Sequence, residues 1–178
     1  AGTLGDNNIT TSGADAHGIY NEGQSNVTTV EAGGSIETTG IGAIGVFNEG
    51  RGNTTTVEGS ILTTGDSAYS IYDKGTGNTT TLAGGVQTEG KDSYGIYRTD
   101  ISNTVDFKAT GSVTTKGETA YGIYNVGNDY TTTVPGSIKT AGEGAHGIYN
   151  SGQSNETTID AGGSIATTGI GASGIVNS

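Results

Sequence analysis

The sequence has no cysteine, methionine or tryptophan, and a single proline in 178 residues. The missing cysteine excludes a disulfide framework and a thiolate metal site. Basic residues are also scarce: seven Lys and Arg stand against eighteen Asp and Glu, for a formal net charge of −11. A surface that tracks phosphates needs clustered Lys and Arg, so no nucleic-acid partner is expected. No apolar run approaches the length of a membrane helix, so no membrane insertion of this segment is expected. Nothing reads as a signal peptide, the expectation for a mature or excised form or for a cytosolic protein. Hydrophobic residues make up only 30% of the chain. At that charge, so low a content would ordinarily read as disorder. An ordered fold must therefore place its few apolar residues very regularly.

What the sequence has in plenty is glycine, 34 residues, together with threonine, and both follow a repeat. The motif "AHGIYN" starts at Ala16, "AIGVFN" at Ala43, "AYSIYD" at Ala68 and "SYGIYR" at Ser93. "AYGIYN" follows at Ala120, "AHGIYN" at Ala145 and "ASGIVN" at Ala172, so successive copies are 27, 25, 25, 27, 25 and 27 residues apart. A fixed period of this length marks a stack of supersecondary units. The chain has the length of one domain, residues 1–178.

Each unit carries two further apolar anchors. One ends a Thr-rich stretch: Val30, Val57, Leu82, Phe107, Val134 and Ile159. Leu4 lies near the same position. The other opens a "GSIxTTG"-like stretch: Ile9, Ile36, Ile61, Val86, Val113, Ile138 and Ile165. Three short strands per unit, separated by Gly/Asn turns, follow. The glycine and β-branched content excludes helix. All of the length variation falls in one turn, which reads "EAGG", "EG", "AG", "KATG", "PG" and "DAGG" in successive units. Fixed walls with one tolerant corner describe a solenoid. The expected fold is all-β: a single-stack parallel β-helix with three strands per coil and about seven coils of 25 or 27 residues, with right-handed winding favoured.

Period two assigns the faces. In the second strand, Thr28, Thr55, Thr80, Val105, Thr132 and Thr157 face inward with the anchor. In the third, Thr11, Thr38, Thr63, Thr88, Thr115, Thr140 and Thr167 do so. Threonine methyls stack there, and the hydroxyls can bond to backbone. The first strand breaks strict alternation. Gly18 and its equivalents are expected to form a bend or bulge, leaving Ala16, Ile19 and Asn21 inside and His17 and Tyr20 outside.

Several outward residues are candidates for binding. Tyr20, Tyr72, Tyr97, Tyr124 and Tyr149 form a row, with Tyr69, Tyr94 and Tyr121 beside it. Like residues stacked on successive coils stabilise the sheet, and an exposed row could also hold a glycan or a partner surface. The outward pairs Thr54 and Thr56, Thr79 and Thr81, and Thr131 and Thr133 form a second grid. It resembles the flat threonine arrays of β-solenoid ice-binding proteins, although Val27, Asp106 and Glu156 interrupt it. His17 and His146 are five coils apart, roughly 24 Å at ordinary strand spacing, too far to share a metal, and read as surface histidines. Asn26, Asn53, Asn78, Asn103 and Asn155 recur at one turn, a position suited to left-handed backbone and stacked amides. The glycosylation sequons at Asn8, Asn26, Asn53, Asn78 and Asn155 read as by-products of that chemistry. The acids lie mostly at variable turns or outward positions, and no loop is long enough to build a cleft. No enzymatic activity and no cofactor are expected.

The pattern "GSIxTTGxxAxGIYNxG", from "NITTSGADAHGIYN" at Asn8 to "GSIATTGIGASGIVN" at Gly163, resembles repeats in the passenger regions of Gram-negative autotransporters and related large adhesins. The resemblance implies a secreted, extracellular β-helix at the bacterial cell surface. Its role would be that of a stalk, an adhesin, or a subunit of a head-to-tail filament, with a host or cell-surface receptor or glycan as partner. Neither end shows a dedicated cap, and the two ends are nearly complementary in phase. End-to-end self-association, or a longer array of the same repeats, is therefore expected. Binding of ice or glycans through the outward Thr or Tyr rows is the alternative. Residues 16–48 nearly match residues 145–177, which reads as duplication of a five-coil block.

Overall fold

The computed structural model describes residues 2–4, 8–108 and 110–178. Three strands recur in every coil, two of them rich in threonine and other β-branched residues and the third opening on Ile or Val, and they build three parallel sheets of seven strands. Sheet 1 holds Ile19–Gln24, Val46–Arg51, Ile71–Thr76, Ile96–Ile101, Ile123–Asn128, Ile148–Ser151 and Ile175–Asn177. Sheet 2 holds Gly2–Leu4, Val27–Val30, Thr54–Val57, Thr79–Leu82, Thr104–Phe107, Thr131–Val134 and Glu156–Ile159. Sheet 3 holds Asn8–Thr11, Ser35–Thr38, Ser60–Thr63, Gly85–Thr88, Ser112–Thr115, Ser137–Thr140 and Ser164–Thr167. Every strand pairs with its counterpart one coil away, so the chain is the expected β-solenoid.

Register is constant. Leu4 is the backbone partner of Val30, and Val30 of Val57. The variable corner joins sheets 2 and 3. In its short form, Gly84 N–H donates back to the Val57 carbonyl at 2.8 Å. In the long form, the inserted residues close a turn of their own, with Gly34 N–H on the Glu31 carbonyl and Gly163 N–H on the Asp160 carbonyl, both at 2.9 Å. Ala109 of the "KATG" turn lies outside the described residues.

The core is three apolar columns, one per sheet, aliphatic except for Phe107. Val46, Ile71, Ile96, Ile123 and Ile148 are fully buried from sheet 1, and Val30, Val57, Leu82, Phe107 and Val134 from sheet 2. Ile36, Ile61, Val86, Val113 and Ile138 complete it from sheet 3. Each such side chain contributes about 1.5–3 kcal/mol by leaving water. The inner threonines of sheet 3 close the next corner. Thr11, Thr88, Thr115 and Thr140 donate to the carbonyls of Ala16, Ser93, Ala120 and Ala145 at 2.5–2.8 Å. That corner also needs left-handed backbone: Asp15, Gly42, Ser67, Asp92, Thr119, Gly144 and Gly171 all have φ between 51° and 72°.

The glycine of "AxGIYN" makes the expected bend. A Cβ on Gly45 would lie 2.4 Å from Ile61 Cγ2 and 2.6 Å from the Ser70 carbonyl oxygen. Sheets 1 and 3 are too close at Gly45 for a side chain, whereas in the next coil Ser70 fills the place and donates to the Gln87 carbonyl at 3.1 Å. The bend puts the alanine, isoleucine and asparagine inside: Ala145 and Ile148 are 0% exposed and Asn150 only 2%.

Candidate functional site

The outward residues of sheet 2 form an aligned grid. Thr54, Thr79, Thr104 and Thr131 are backbone partners in one column, ended by Val27 and Glu156. Thr29, Thr56, Thr81, Thr133 and Thr158 form the other, with Asp106 between Thr81 and Thr133. Lys108 is paired to that aspartate at 2.7 Å, which places a charged pair inside the grid.

Sheet 1 carries an aromatic strip two columns wide. Phe47, Tyr72, Tyr97 and Tyr124 stack with ring centroids 4.7–5.3 Å apart and planes within 20°. Tyr69, Tyr94 and Tyr121, just ahead of their strands, form the second column at 5.1–5.2 Å. Tyr149 stacks on Tyr121 at 5.4 Å, and edge contacts such as Tyr94–Tyr124 at 4.9 Å tie the columns together. Tyr20 begins the strip, 48% exposed, and donates to Glu49. Because ring faces are covered by neighbouring rings, the strip presents edges and hydroxyls to solvent. Burial away from water, and then the neighbouring phenols, push the phenol of Tyr97 up to about 12 and raise that of Tyr94 as well.

The histidines belong to this strip and have a structural role. His17 Nδ1 accepts the Ile44 N–H at 3.1 Å, and His146 Nδ1 accepts the Ser173 N–H at 2.9 Å. Both bonds call for the tautomer protonated on Nε2. Partial burial lowers the pKa of His146 and so favours the neutral ring. Among the described residues no group of His, Asp and Glu could hold a metal ion.

One acid departs from the expected outward placement. Asp73 is fully buried, and so is Arg98 one coil later. Both stand in the inner asparagine column of sheet 1. There each amide donates to the next coil: Asn21 to Asn48 at 2.8 Å, and Asn48 to Asp73 at 2.6 Å. Asp73 takes a second bond from Thr80 at 2.8 Å. Arg98 starts the ladder again, donating Nε to Asn125 Oδ1 at 2.7 Å. Asn125 donates to Asn150 at 2.5 Å, and Asn150 to Asn177 at 2.8 Å. A carboxylate can only accept and a guanidinium can only donate, so the pair ends one run and begins the other. Burial raises the Asp73 carboxyl above its ordinary range and lowers Arg98 to about 10, which leaves the guanidinium charged at neutral pH.

Arg98 also explains two oddities of sequence. Asn21, Asn48 and Asn150 each bond to the threonine seven residues on, Thr28, Thr55 and Thr157. Arg98 reaches past that position to Thr132, at 2.5 Å, so Val105 suffices there. Its other donor bonds go to the carbonyls of Asn103 and Thr131. Tyr130 packs against it, with the guanidinium carbon 4.9 Å from the ring centre. Tyr130 occupies the place of the turn asparagine. Its hydroxyl donates to the Val126 carbonyl four residues back, as the Asn103 amide does to Thr99. The remaining turn asparagines form the expected ladder: Asn26, Asn53 and Asn78 N–H groups donate to the next coil's side-chain oxygen at 2.8–3.0 Å. The Asn53 and Asn78 side chains are fully buried, so those sequons are committed to the turn.

Lys74–Glu49, Lys91–Glu118 and Lys116–Glu89 pair across neighbouring coils at 2.6–3.2 Å. Such exposed pairs are worth about 0–1 kcal/mol each. Two shallow hollows lie on the outside of sheet 3, about 230 Å³ beside Gly85 and about 420 Å³ beside Lys139 and Ala166.

No protein-family model, no curated protein and no solved structure matches this chain. The functional reading therefore rests on its own geometry.

Proposed function

We propose that the chain is a structural and adhesive β-solenoid of a bacterial surface protein, working as a stalk, an adhesin or a filament subunit in the extracellular space. One observation carries this reading. The interior columns repeat coil after coil, whereas the outer column of sheet 3 runs Thr10, Glu37, Leu62, Gln87, Thr114, Lys139 and Ala166. Such a fold keeps its cross-section and lets its surface drift, and its products are length and long repetitive faces. A further run of the same repeats, in the same chain or in another copy, would continue the three sheets end to end. The motif resemblance to autotransporter passengers supports the same reading.

The test is display of the chain on a non-adherent bacterium, read by cell aggregation and by attachment to host cells and glycan arrays. Electron microscopy of the purified chain would accompany it. Rods or fibres together with new adhesion support the proposal. Dispersed monomers that confer no adhesion would remove it. The register of the outward threonines in sheet 2 favours one second reading, binding of ice or a glycan. Thermal hysteresis or glycan capture that is lost on Thr79→Val with Thr81→Val would support it.

A further inference from the structure

The aromatic strip has a chemical property that stacking alone does not use. Seven tyrosines, Tyr69, Tyr72, Tyr94, Tyr97, Tyr121, Tyr124 and Tyr149, lie over four successive coils with neighbouring centroids 4.7–5.9 Å apart. Their rings are half-buried, edges outward. Stacked phenols on a solvent-facing sheet are placed to share an oxidising equivalent and to couple. We propose that this run is a site of oxidative cross-linking, in which dityrosine bonds staple neighbouring coils once a peroxidase and hydrogen peroxide reach the surface.

The chemistry balances with those reactants. Each of two tyrosines gives up the hydrogen atom of its phenol, one electron and one proton, to the oxidised haem of the peroxidase. The two phenoxyl radicals join through ring carbons ortho to oxygen, forming one carbon–carbon bond. Each of those carbons then releases its hydrogen as a proton, and each oxygen takes one up, which restores two phenols. Two hydrogen atoms leave the protein, and one hydrogen peroxide becomes two waters.

The strip contains its own controls. Tyr20 is the most exposed tyrosine at its end, but its neighbour in the column is Phe47, 5.1 Å away, which has no phenolic hydrogen to lose. Tyr130 is 1% exposed and its hydroxyl is held by two carbonyls. Reactivity governed by exposure alone would centre on Tyr20. Reactivity governed by stacking would centre on the run from Tyr69 to Tyr149.

Dilute folded protein would be treated with a haem peroxidase and hydrogen peroxide, followed by dityrosine fluorescence, intact mass and tryptic peptide mapping. Trypsin separates the relevant coils, because it cuts after Arg51, Lys74, Lys91, Arg98, Lys108, Lys116 and Lys139. The expected result is a single chain lighter by two hydrogens per bond. Peptide 92–98 should be joined to 52–74 and to 117–139. The double variant Tyr94→Phe/Tyr97→Phe keeps the stack and should lose both of those links, while the link between 117–139 and 140–178 persists. The proposal is overturned if cross-links run mainly between molecules through Tyr20. It is equally overturned if unfolded chain in denaturant yields the same coil-to-coil links as folded chain.

Discussion

The inner ladder of sheet 1 is built two ways. From Asn125 to Asn177 it is a column of amides, whereas between Asp73 and Arg98 it is a pair of opposite charges. An amide accepts from one coil and donates to the next, so an asparagine column satisfies itself at any length. Neither charge can do both. The aspartate must therefore end a run and the arginine must begin one, in that order along the direction of donation. The two charges also depend on each other, since each is fully buried. The two charges that this repeat holds inside stand as a matched pair on neighbouring coils.

The largest expected effect is on the arginine. Arg98→Ala strands the acceptors of Asn125, Asn103, Thr131 and Thr132 and leaves Asp73 without an opposite charge. A loss of about 3–5 kcal/mol is expected on denaturant unfolding. A loss below 1 kcal/mol would show that water or rearranged amides take over the ladder. Asp73→Asn leaves Arg98 without its opposite charge and turns a donor towards a residue that cannot accept, but it should cost less, about 1–3 kcal/mol, because Arg98 keeps its bonds to Asn103, Asn125, Thr131 and Thr132. The triple change Asp73→Asn/Arg98→Asn/Val105→Thr restores the amide pattern, including the threonine seven residues on. It should unfold within about 1 kcal/mol of the parent, far from the sum of the single losses. Additive losses would break the comparison.

The smallest effect is a slope with pH. Burial raises the Asp73 carboxyl, so the folded chain binds that proton more tightly than the unfolded chain. Stability from this group is therefore present below the ordinary value of 3.8 and is lost as pH rises from there through the raised folded value. Glu49 and Glu89, held low first by Lys74 and Lys116, act in the opposite sense below 4.5, but are exposed and screened. Denaturation midpoints of the parent minus those of Asp73→Asn, taken across acidic pH, should fall with rising pH. A flat difference would mean that Asp73 titrates normally.

Much of this was legible beforehand. The period, the three strands, the tolerant corner, the bend at glycine and the inward threonines follow from spacing and alternation. Local sterics and period-two geometry decide all of them. The inward asparagine was legible too, and with it, in principle, the two charges, since "AYSIYD" and "SYGIYR" put Asp73 and Arg98 in that column. The interruptions carried the signal: Val105 among threonines and Tyr130 among asparagines. Their meaning was not legible, because Arg98 bonds to residues five, 27, 33 and 34 positions on, and no local pattern joins positions so far apart. The outward placement of the histidines was legible, but their hydrogen bonds were not, for the same reason. Their partners are backbone amides 27 residues away.

By itself, then, the sequence determined a coil: its length, its corners, and which residues face inward, because those depend on backbone sterics and on the alternation of side chains along a strand. Only the stacking of coils decided what the inward and outward residues do. Hydrogen-bond direction along the ladder, the matching of two buried charges and the overlap of tyrosine rings exist between neighbouring coils, at separations of a few ångströms that the linear sequence spreads over 25 or 27 residues.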